Sequence, residues 1–271
     1  MYEVGPSGNE AVLYTFTGGL DGDAPNGVFR DAAGDLYGTA YGGGGSNAGV
    51  MFKVDPGGRE TVLYAFTGGS DGGNPYAGVI ADSAGNLYGT TTAGGPANVG
   101  VVYMVDPGGN ETVLCSFTGL GADGGLPHGG VIRDSAGNLY GTTAAGGAWG
   151  QGQQGEGVVF KLDPGGNYSA IYTFTGGADG GGPLAGVVRD SGGNLYGTTS
   201  GGGMSNCDFG CGVVFELDAS GQETVLHSFT GGADGSVPYV GVILDSAGSL
   251  LGTASAGGTG AGGVVYELAL Q

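Results

Sequence analysis

An aspartate recurs in one loop of this chain at five equivalent places. In its commonest form the loop reads Phe-Thr-Gly-Gly-x-Asp-Gly-x-x-Pro, and its carboxylates are Asp21, Asp71, Asp123, Asp179 and Asp234. Carboxylate oxygens can ligate Ca²⁺ or accept hydrogen bonds from sugar hydroxyls. An aspartate also forms turns by accepting bonds from backbone amides two residues further on. The loop therefore allows a calcium site, with Ca²⁺ as the candidate cofactor, a site for sugar hydroxyls, or five structural turns.

The residue after the loop proline changes from copy to copy. These residues are Asn26, Tyr76, His128, Leu184 and Tyr239. A variable position in an otherwise constant loop is typical of a ligand contact on a rigid scaffold. Tyr76, His128 and Tyr239 are therefore candidate ligand-binding residues, because an aromatic ring offers an apolar face together with a polar group.

Two repeats carry insertions that the other copies lack, at residues 148–156 and 204–211. Trp149, Gln151 and Glu156 lie in the first, and Asn206 and Asp208 lie in the second. An aromatic platform beside amide and carboxylate groups is what a sugar site needs. We therefore take these five residues as candidate ligand contacts, although Trp149 could equally fold back and cover its own loop.

Glu156 and Asp208 are also the acids that would act if the protein were an enzyme. Glycoside hydrolysis needs two carboxyl groups on either side of the scissile bond. The chain has no His-Glu-x-x-His or P-loop motif, and its only histidines are His128 and His227. The sequence leaves open whether the protein is an enzyme.

Cys207 and Cys211 lie close together in the second insertion. This spacing in a loop predicts a local disulfide, which would form in an oxidising compartment. Cys115 takes the place of a strand tyrosine, and we expect it to be a small core residue.

Short strands must hold all these loops, because the whole chain is built from one repeat. Leu-Tyr-Gly-Thr begins at residues 36, 87, 139 and 195, and a decayed copy begins at residue 250. Each repeat has four short apolar runs separated by turn residues: A (Gly-Val-Ile), B (Leu-Tyr-Gly-Thr), C (Val-Val-Phe) and D (Val-Leu-Tyr-x-Phe). Repeats of about 50 residues with this content predict an all-β fold, a five-bladed β-propeller of four-stranded antiparallel blades. Its D–A and B–C loops would share one face.

The two ends of the sequence predict how the ring closes. Residues 9–16 form a D-type strand, and Gly263–Leu268 form a C-type strand. We expect residues 1–16 to complete the last blade of a single domain spanning 1–271, which would remove exposed strand edges. Met1–Val4 is a second C-type segment, and it could pair with another chain instead.

The charge balance limits the partners. The formal net charge is −19, with only six Lys plus Arg. Phosphate binding needs a basic face, so a nucleic-acid partner is not expected. The chain contains no run of 18 apolar residues, so no membrane span is predicted, and no signal peptide is visible at Met1.

The repeat resembles a known family. Asp-Ser-Ala-Gly-Asn-Leu-Tyr-Gly-Thr-Thr, Gly-Val-Val-Phe, Asp-Pro-Gly-Gly-x-Glu-Thr-Val-Leu and Phe-Thr-Gly-Gly are similar to the GloVer tandem repeat of bacterial choice-of-anchor proteins. The resemblance covers nearly the whole chain. It implies a secreted or surface-anchored bacterial protein and no established catalytic residue.

The sequence thus predicts a glycine-rich, acidic, secreted binding module, with a glycan as its partner. The alternatives are a glycosidase-like or lyase enzyme acting on polysaccharides, and a surface scaffold without a small ligand.

Overall fold

The structure is a computed structural model that describes residues 1–119, 121–147, 155–203 and 207–270. Strands β1–β21 dominate these residues, one 3₁₀ turn lies at Gly121–Asp123, and no α-helix occurs in the described ranges. The chain divides into two compact units, an N-terminal unit at 1–117 and a C-terminal unit at 118–271. Five antiparallel sheets form the blades of a five-bladed β-propeller, which confirms the predicted fold class.

The N-terminal unit holds a hairpin and the first two blades. The hairpin pairs β1 (Tyr2–Val4) with β2 (Glu10–Val12). Blade 1 consists of β3 (Asp23–Arg30), β4 (Leu36–Gly42), β5 (Val50–Val54) and β6 (Glu60–Ala65). Blade 2 consists of β7 (Ile80–Ala81), β8 (Leu87–Thr91), β9 (Val101–Val105) and β10 (Glu111–Ser116).

The C-terminal unit holds the other three blades. Blade 3 consists of β11 (Ile132–Arg133), β12 (Leu139–Thr143), β13 (Val158–Leu162) and β14 (Tyr168–Thr173). Blade 4 consists of β15 (Val188–Arg189), β16 (Leu195–Thr199), β17 (Val213–Leu217) and β18 (Glu223–Ser228). Blade 5 consists of β19 (Ile243–Leu244), β20 (Ser249–Ala254) and β21 (Val264–Ala269).

The glycine of Leu-Tyr-Gly-Thr makes room for the aromatic ring of the C strand. A Cβ placed on Gly141 would lie 2.7 Å from Cζ of Phe160, and one on Gly197 would lie 2.6 Å from Cζ of Phe215. Both rings are fully buried. A larger residue would overpack this contact, which explains why the repeat needs glycine inside a strand.

The tyrosine of the same motif closes the short turn between strands A and B. Tyr88 donates its hydroxyl to Asp82 Oδ2 at 3.0 Å, while Asp82 Oδ1 accepts from the amides of Ala84 and Asn86. Tyr37, Tyr140 and Tyr196 make the same bond to Asp31, Asp134 and Asp190. These tyrosines therefore hold the turns together and need no ligand to explain them.

The predicted closure of the last blade is not confirmed. The D-type strand β2 pairs with β1 in the register Tyr2–Val12, Glu3–Ala11 and Val4–Glu10, and blade 5 has three strands in the described residues. Met1–Val4 is therefore the C-type segment found beside β2. Met1–Val4 can pair with β2 in place of the C strand β21 because the two segments share one sequence pattern. The prediction that 1–271 is a single domain stays a prediction.

Candidate functional site

Each recurrent loop aspartate is held inside its own D–A loop. Asp71 accepts from the Thr67 amide at 2.8 Å and the Tyr64 hydroxyl at 3.0 Å on Oδ2, and from the Thr67 hydroxyl on Oδ1. The threonine contacts recur at Asp21, Asp123, Asp179 and Asp234. Both oxygens of all five carboxylates thus accept bonds within their own loops, from a threonine four or five residues earlier and not from the following amides of the predicted turn.

These bonds also set the charge state of the first loop. Desolvation acts to raise the pKa of Asp21, but the bonds from Thr17 and Tyr14 outweigh it and lower the pKa to about 2. The carboxylate is therefore ionised and committed to the turn. Among the described residues, no group of three His, Cys, Asp or Glu side chains could hold a metal ion. Calcium binding at these aspartates stays a prediction.

Three of these aspartates each have a half-buried glutamate nearby, and the sequence analysis did not identify these glutamates. Desolvation, with Asp71 adding its charge, raises the pKa of Glu111 to about 7. Desolvation and Asp179 do the same to Glu223, and desolvation and Asp21 raise the pKa of Glu60. Each glutamate begins a D strand, where sequence alone suggests an exposed end residue.

The variable residue after each loop proline is placed by one backbone frame. The residue before each proline has a positive φ, at Ala24 (47°), Asn74 (55°), Leu126 (55°), Gly182 (60°) and Val237 (55°). On the other side of the proline, the backbone carbonyl two residues further on accepts a bond from the Leu-Tyr-Gly-Thr threonine of the preceding blade. Thr39 donates to the Ala77 carbonyl at 2.8 Å, and Thr198 donates to the Val240 carbonyl at 3.1 Å. A constant frame thus carries a changing side chain.

In the N-terminal unit this frame carries an exposed pair of tyrosines. Tyr76 is 53% exposed and Tyr41 is 40% exposed, and their ring centroids lie 5.9 Å apart with an interplanar angle of 90°. Tyr41 lies in β4, where the other blades have Thr92, Ala144, Ser200 and Ser255. The two rings form an aromatic corner at a loop end, which is suited to stacking against a ligand.

The backbone around Tyr76 is held on both sides. The side-chain amide of Asn74 donates to the Tyr41 carbonyl at 3.1 Å, and the backbone amide of Asn74 donates to the Ala48 carbonyl at 2.6 Å. Pro75 is buried, and its carbonyl accepts from the Asn26 side chain at 2.7 Å. The corner is therefore preorganised, which lowers the entropy lost on binding.

In the C-terminal unit the inserted loop of blade 4 is closed by the predicted disulfide. Cys207 and Cys211 are bonded, with Cα atoms 5.3 Å apart. The turn between them leaves Phe209 90% exposed and Asp208 exposed, while the Phe209 carbonyl accepts from the Gly202 amide at 2.9 Å. The disulfide therefore fixes a turn that presents a phenylalanine to solvent.

This disulfide loop, residues 207–211, is joined to the D–A loop that carries Tyr239. The Val237 amide donates to the Cys211 carbonyl at 2.8 Å, and Tyr239 is 57% exposed. The connection gives the C-terminal unit exposed aromatic residues on two joined loops, whereas in the N-terminal unit one of the two rings comes from a strand.

Of the two candidate catalytic acids, Glu156 lies against the D–A loop at 175–182, whereas the segment that carries Asp208 reaches this loop only through Gly201 and Gly202. A Cβ placed on Gly176 would lie 2.8 Å from the carboxyl carbon of Glu156, which is exposed. Asp208 belongs to the disulfide loop, whose neighbour Gly201 pairs with Gly181. The loop at 175–182 therefore contacts one acid directly and the other only through an intervening strand end.

The histidines differ in setting. His128 is half-buried, and desolvation lowers its pKa below the ordinary value. His227 replaces the D-strand tyrosine, and its Nε2 lies 3.2 Å from Asp234 Oδ2. His227 thus serves the turn, whereas His128 stays a candidate contact. Trp149, Gln151 and Asn206 lie outside the described residues.

Tyr41 and Phe209 are the exposed aromatic residues that the sequence reasoning passed over. A signal was present for Tyr41, which breaks the repeat at a position where other blades carry small residues. Phe209 was visible inside the insertion, but nothing in the sequence shows that the disulfide turns its ring outward.

Comparison with known proteins agrees with the repeat and the fold. The chain matches the Gloeobacter/Verrucomicrobia repeat family over residues 1–207 and 146–271, and it belongs to that family. No curated protein sequence matches it.

Solved structures share the fold at low sequence identity. A putative gluconolactonase has a TM-score of 0.56 at 14% identity, covering 98% of this chain and 80% of that one. The PQQ-bound aldose sugar dehydrogenase of Streptomyces coelicolor has a TM-score of 0.55 at 15% identity, covering 92% and 78%. A luciferin-regenerating enzyme has a TM-score of 0.51 at 13% identity, covering 92% of each chain. At these identities the likeness shows the fold alone.

Proposed function

We propose that this member of the Gloeobacter/Verrucomicrobia repeat family is a carbohydrate-binding propeller of a secreted or surface-attached bacterial protein. The observation that carries the proposal is the exposed aromatic corner of Tyr41 and Tyr76. Sugar rings present apolar C–H faces that stack on aromatic side chains, and their hydroxyl groups need polar partners. Tyrosine hydroxyls at the corner supply such partners.

The rest of the molecule supports a binding role outside the cell. The disulfide of Cys207 and Cys211 fits an oxidising compartment. No helix in the described ranges is long and apolar enough to cross a membrane. The aspartates of the D–A loops are already bonded to their own threonines, so we propose that glycan binding at the corner needs no calcium.

Affinity for soluble polysaccharides tests the proposal. Tyr76→Ala and Tyr41→Ala are each expected to weaken binding about tenfold, which corresponds to about 1.4 kcal/mol. Tyr2→Ala removes another exposed tyrosine, in β1, and serves as the matched control. Calorimetry with and without EDTA measures both effects. No binding at millimolar sugar, or equal affinities for all three variants and the parent, contradicts the proposal.

A second candidate is a polysaccharide-acting enzyme that uses Glu156 and Asp208. It is favoured by the contact of Glu156 with the loop at 175–182, to which the Asp208 segment is linked through Gly201 and Gly202. Glu156→Gln and Asp208→Asn should then each abolish release of reducing ends from a polysaccharide. Equal turnover by the parent and both variants would remove this candidate.

A further inference from the structure

Strand β21 is paired along only one of its edges in the described part of the chain. It pairs with β20, whereas β5, β9, β13 and β17 each lie between two strands. Val265 in β21 is 81% exposed, while Val159 and Val214, at the same place in β13 and β17, are fully buried. The open edge therefore exposes backbone groups and apolar side chains that every other C strand covers.

The other blades define which strand fits this edge. In blade 3, Val159 pairs with Tyr172 and Phe160 pairs with Ala170, with a register shift between them. Blades 1, 2 and 4 keep the same pairing, with a register irregularity at the corresponding place. A partner of β21 must therefore supply a D-type strand with this pattern.

Residues 10–16 have that pattern, and the hairpin shows them in that register. Tyr2 pairs with Val12 and Glu3 with Ala11, while the amides of Leu13 and Tyr14 both donate to the Met1 carbonyl. Met1, Tyr2 and Glu3 thus occupy the places on β2 that correspond to Val265, Tyr266 and Glu267. We propose that β21 accepts residues 10–16 of a second copy of this chain, so that copies join head to tail.

The competing strand is a weak one. Strand β1 has three residues, all of them exposed, whereas β21 offers six residues and an apolar face. Exchange of β2 from β1 to β21 therefore gains ladder bonds and buries Val265. Because each copy carries a net charge of −19, salt should strengthen the association by screening the repulsion between copies. A head-to-tail contact of this kind forms rings or open chains of copies.

Disulfide trapping between two differently substituted chains tests the register. One chain carries Glu267→Cys and the other carries Ala11→Cys, and both positions are exposed. Each chain also carries Cys115→Ser. Paired residues of antiparallel strands have Cα atoms about 4.5–5.5 Å apart, which is within disulfide range. Under mild oxidation the mixture is expected to give a covalent dimer of one chain of each kind, in larger yield at about 0.5 M than at about 0.05 M NaCl.

A chain with Thr15→Cys is the matched control. It places the cysteine four residues out of register from Glu267→Cys and is expected to give no link. A mixture without heterodimer, or a single chain with both substitutions that links only within itself, overturns the proposal. Glycan binding at Tyr41 and Tyr76 is measured separately and does not depend on this result.

Discussion

The Tyr76 loop, residues 67–77, and the Tyr239 loop, residues 230–240, share one backbone frame but differ in the segment bonded to each loop that carries a second exposed aromatic residue. Beside Tyr76 the neighbour is Tyr41, which replaces a small residue within β4. The Tyr239 loop is bonded to an inserted loop that a disulfide closes and that exposes Phe209. The ring of Tyr41 needs a single substitution, whereas the ring of Phe209 needs a new loop and a covalent bond.

The comparison shows that repeat proteins can vary a surface without changing the frame beneath it. Thr39 and Thr198 make the same bond to the two loops, although the residues that the loops expose differ. Function in such a fold is therefore best sought where a copy departs from the repeat.

Removing the disulfide should have the largest effect on this comparison. Cys207→Ser with Cys211→Ser frees a short loop, with a sequence separation of 4. Chain entropy for so short a loop predicts a loss of about 2 kcal/mol in the free energy of unfolding. Urea unfolding measures the loss, and limited proteolysis should cut first near Phe209.

Cys115→Ser is the control for this change, because Cys115 is not in a disulfide. Its unfolding midpoint should stay close to that of the parent. Protection of the disulfide loop from protease in the double variant would show that backbone bonds such as Val237 to Cys211 suffice to hold it.

Most of the fold could be predicted from the sequence because the same strand and turn residues recur in five repeats. Turn aspartates, the strand glycine and the Val-Val-Phe run each have one structural reason, and the sheets bear these out. The closure prediction was not confirmed because Met1–Val4 and β21 carry the same pattern. Pairing between equivalent strands is decided by contacts that a sequence pattern does not contain.

The site could be predicted only in part. The variable residues Tyr76 and Tyr239 were identified because their position is defined by the loop proline, and both are exposed. Tyr41 could not be predicted from the variation of the loops because it lies in a strand. Glu111 was missed because burial of a strand-end carboxyl depends on the neighbouring loop, which no local pattern reveals.

The residue before the loop proline offers a smaller and reversible test of the comparison. Asn74 and Val237 have the same φ of 55°, but asparagine tolerates this left-handed conformation and a β-branched residue does not. Val237→Asn should therefore stabilise the protein by about 1 kcal/mol, and Asn74→Val should destabilise it by at least as much.

Thermal unfolding of both variants measures these changes. Asn74→Val also removes the bond to the Tyr41 carbonyl, so it should weaken glycan binding at the corner as well. Equal stability of Val237→Asn and the parent would show that the Tyr239 loop adapts its backbone and is not the rigid counterpart of the Tyr76 loop.

The smallest effect concerns pH, because solvent screens the charge of the half-buried Glu111, and it bears on the Tyr76 loop. Burial near Asp71 raises the pKa of Glu111 from 4.5 to about 7, so the folded protein keeps a proton that the unfolded chain releases within this window. The contribution of Glu111 to stability is therefore greatest below pH 4.5 and is lost as pH rises to 7. Glu111→Gln removes the titration and should flatten the fall in urea midpoint across this range, while the exposed Glu3→Gln should not. None of the three glutamates with a raised pKa has Asp234 of the Tyr239 loop as its charged neighbour, so hydrogen exchange should show the effect of Glu111→Gln in residues 67–77 and not in residues 230–240. An equal change in both loops would mean that the charge acts on the whole fold and not on the loop that holds Tyr76.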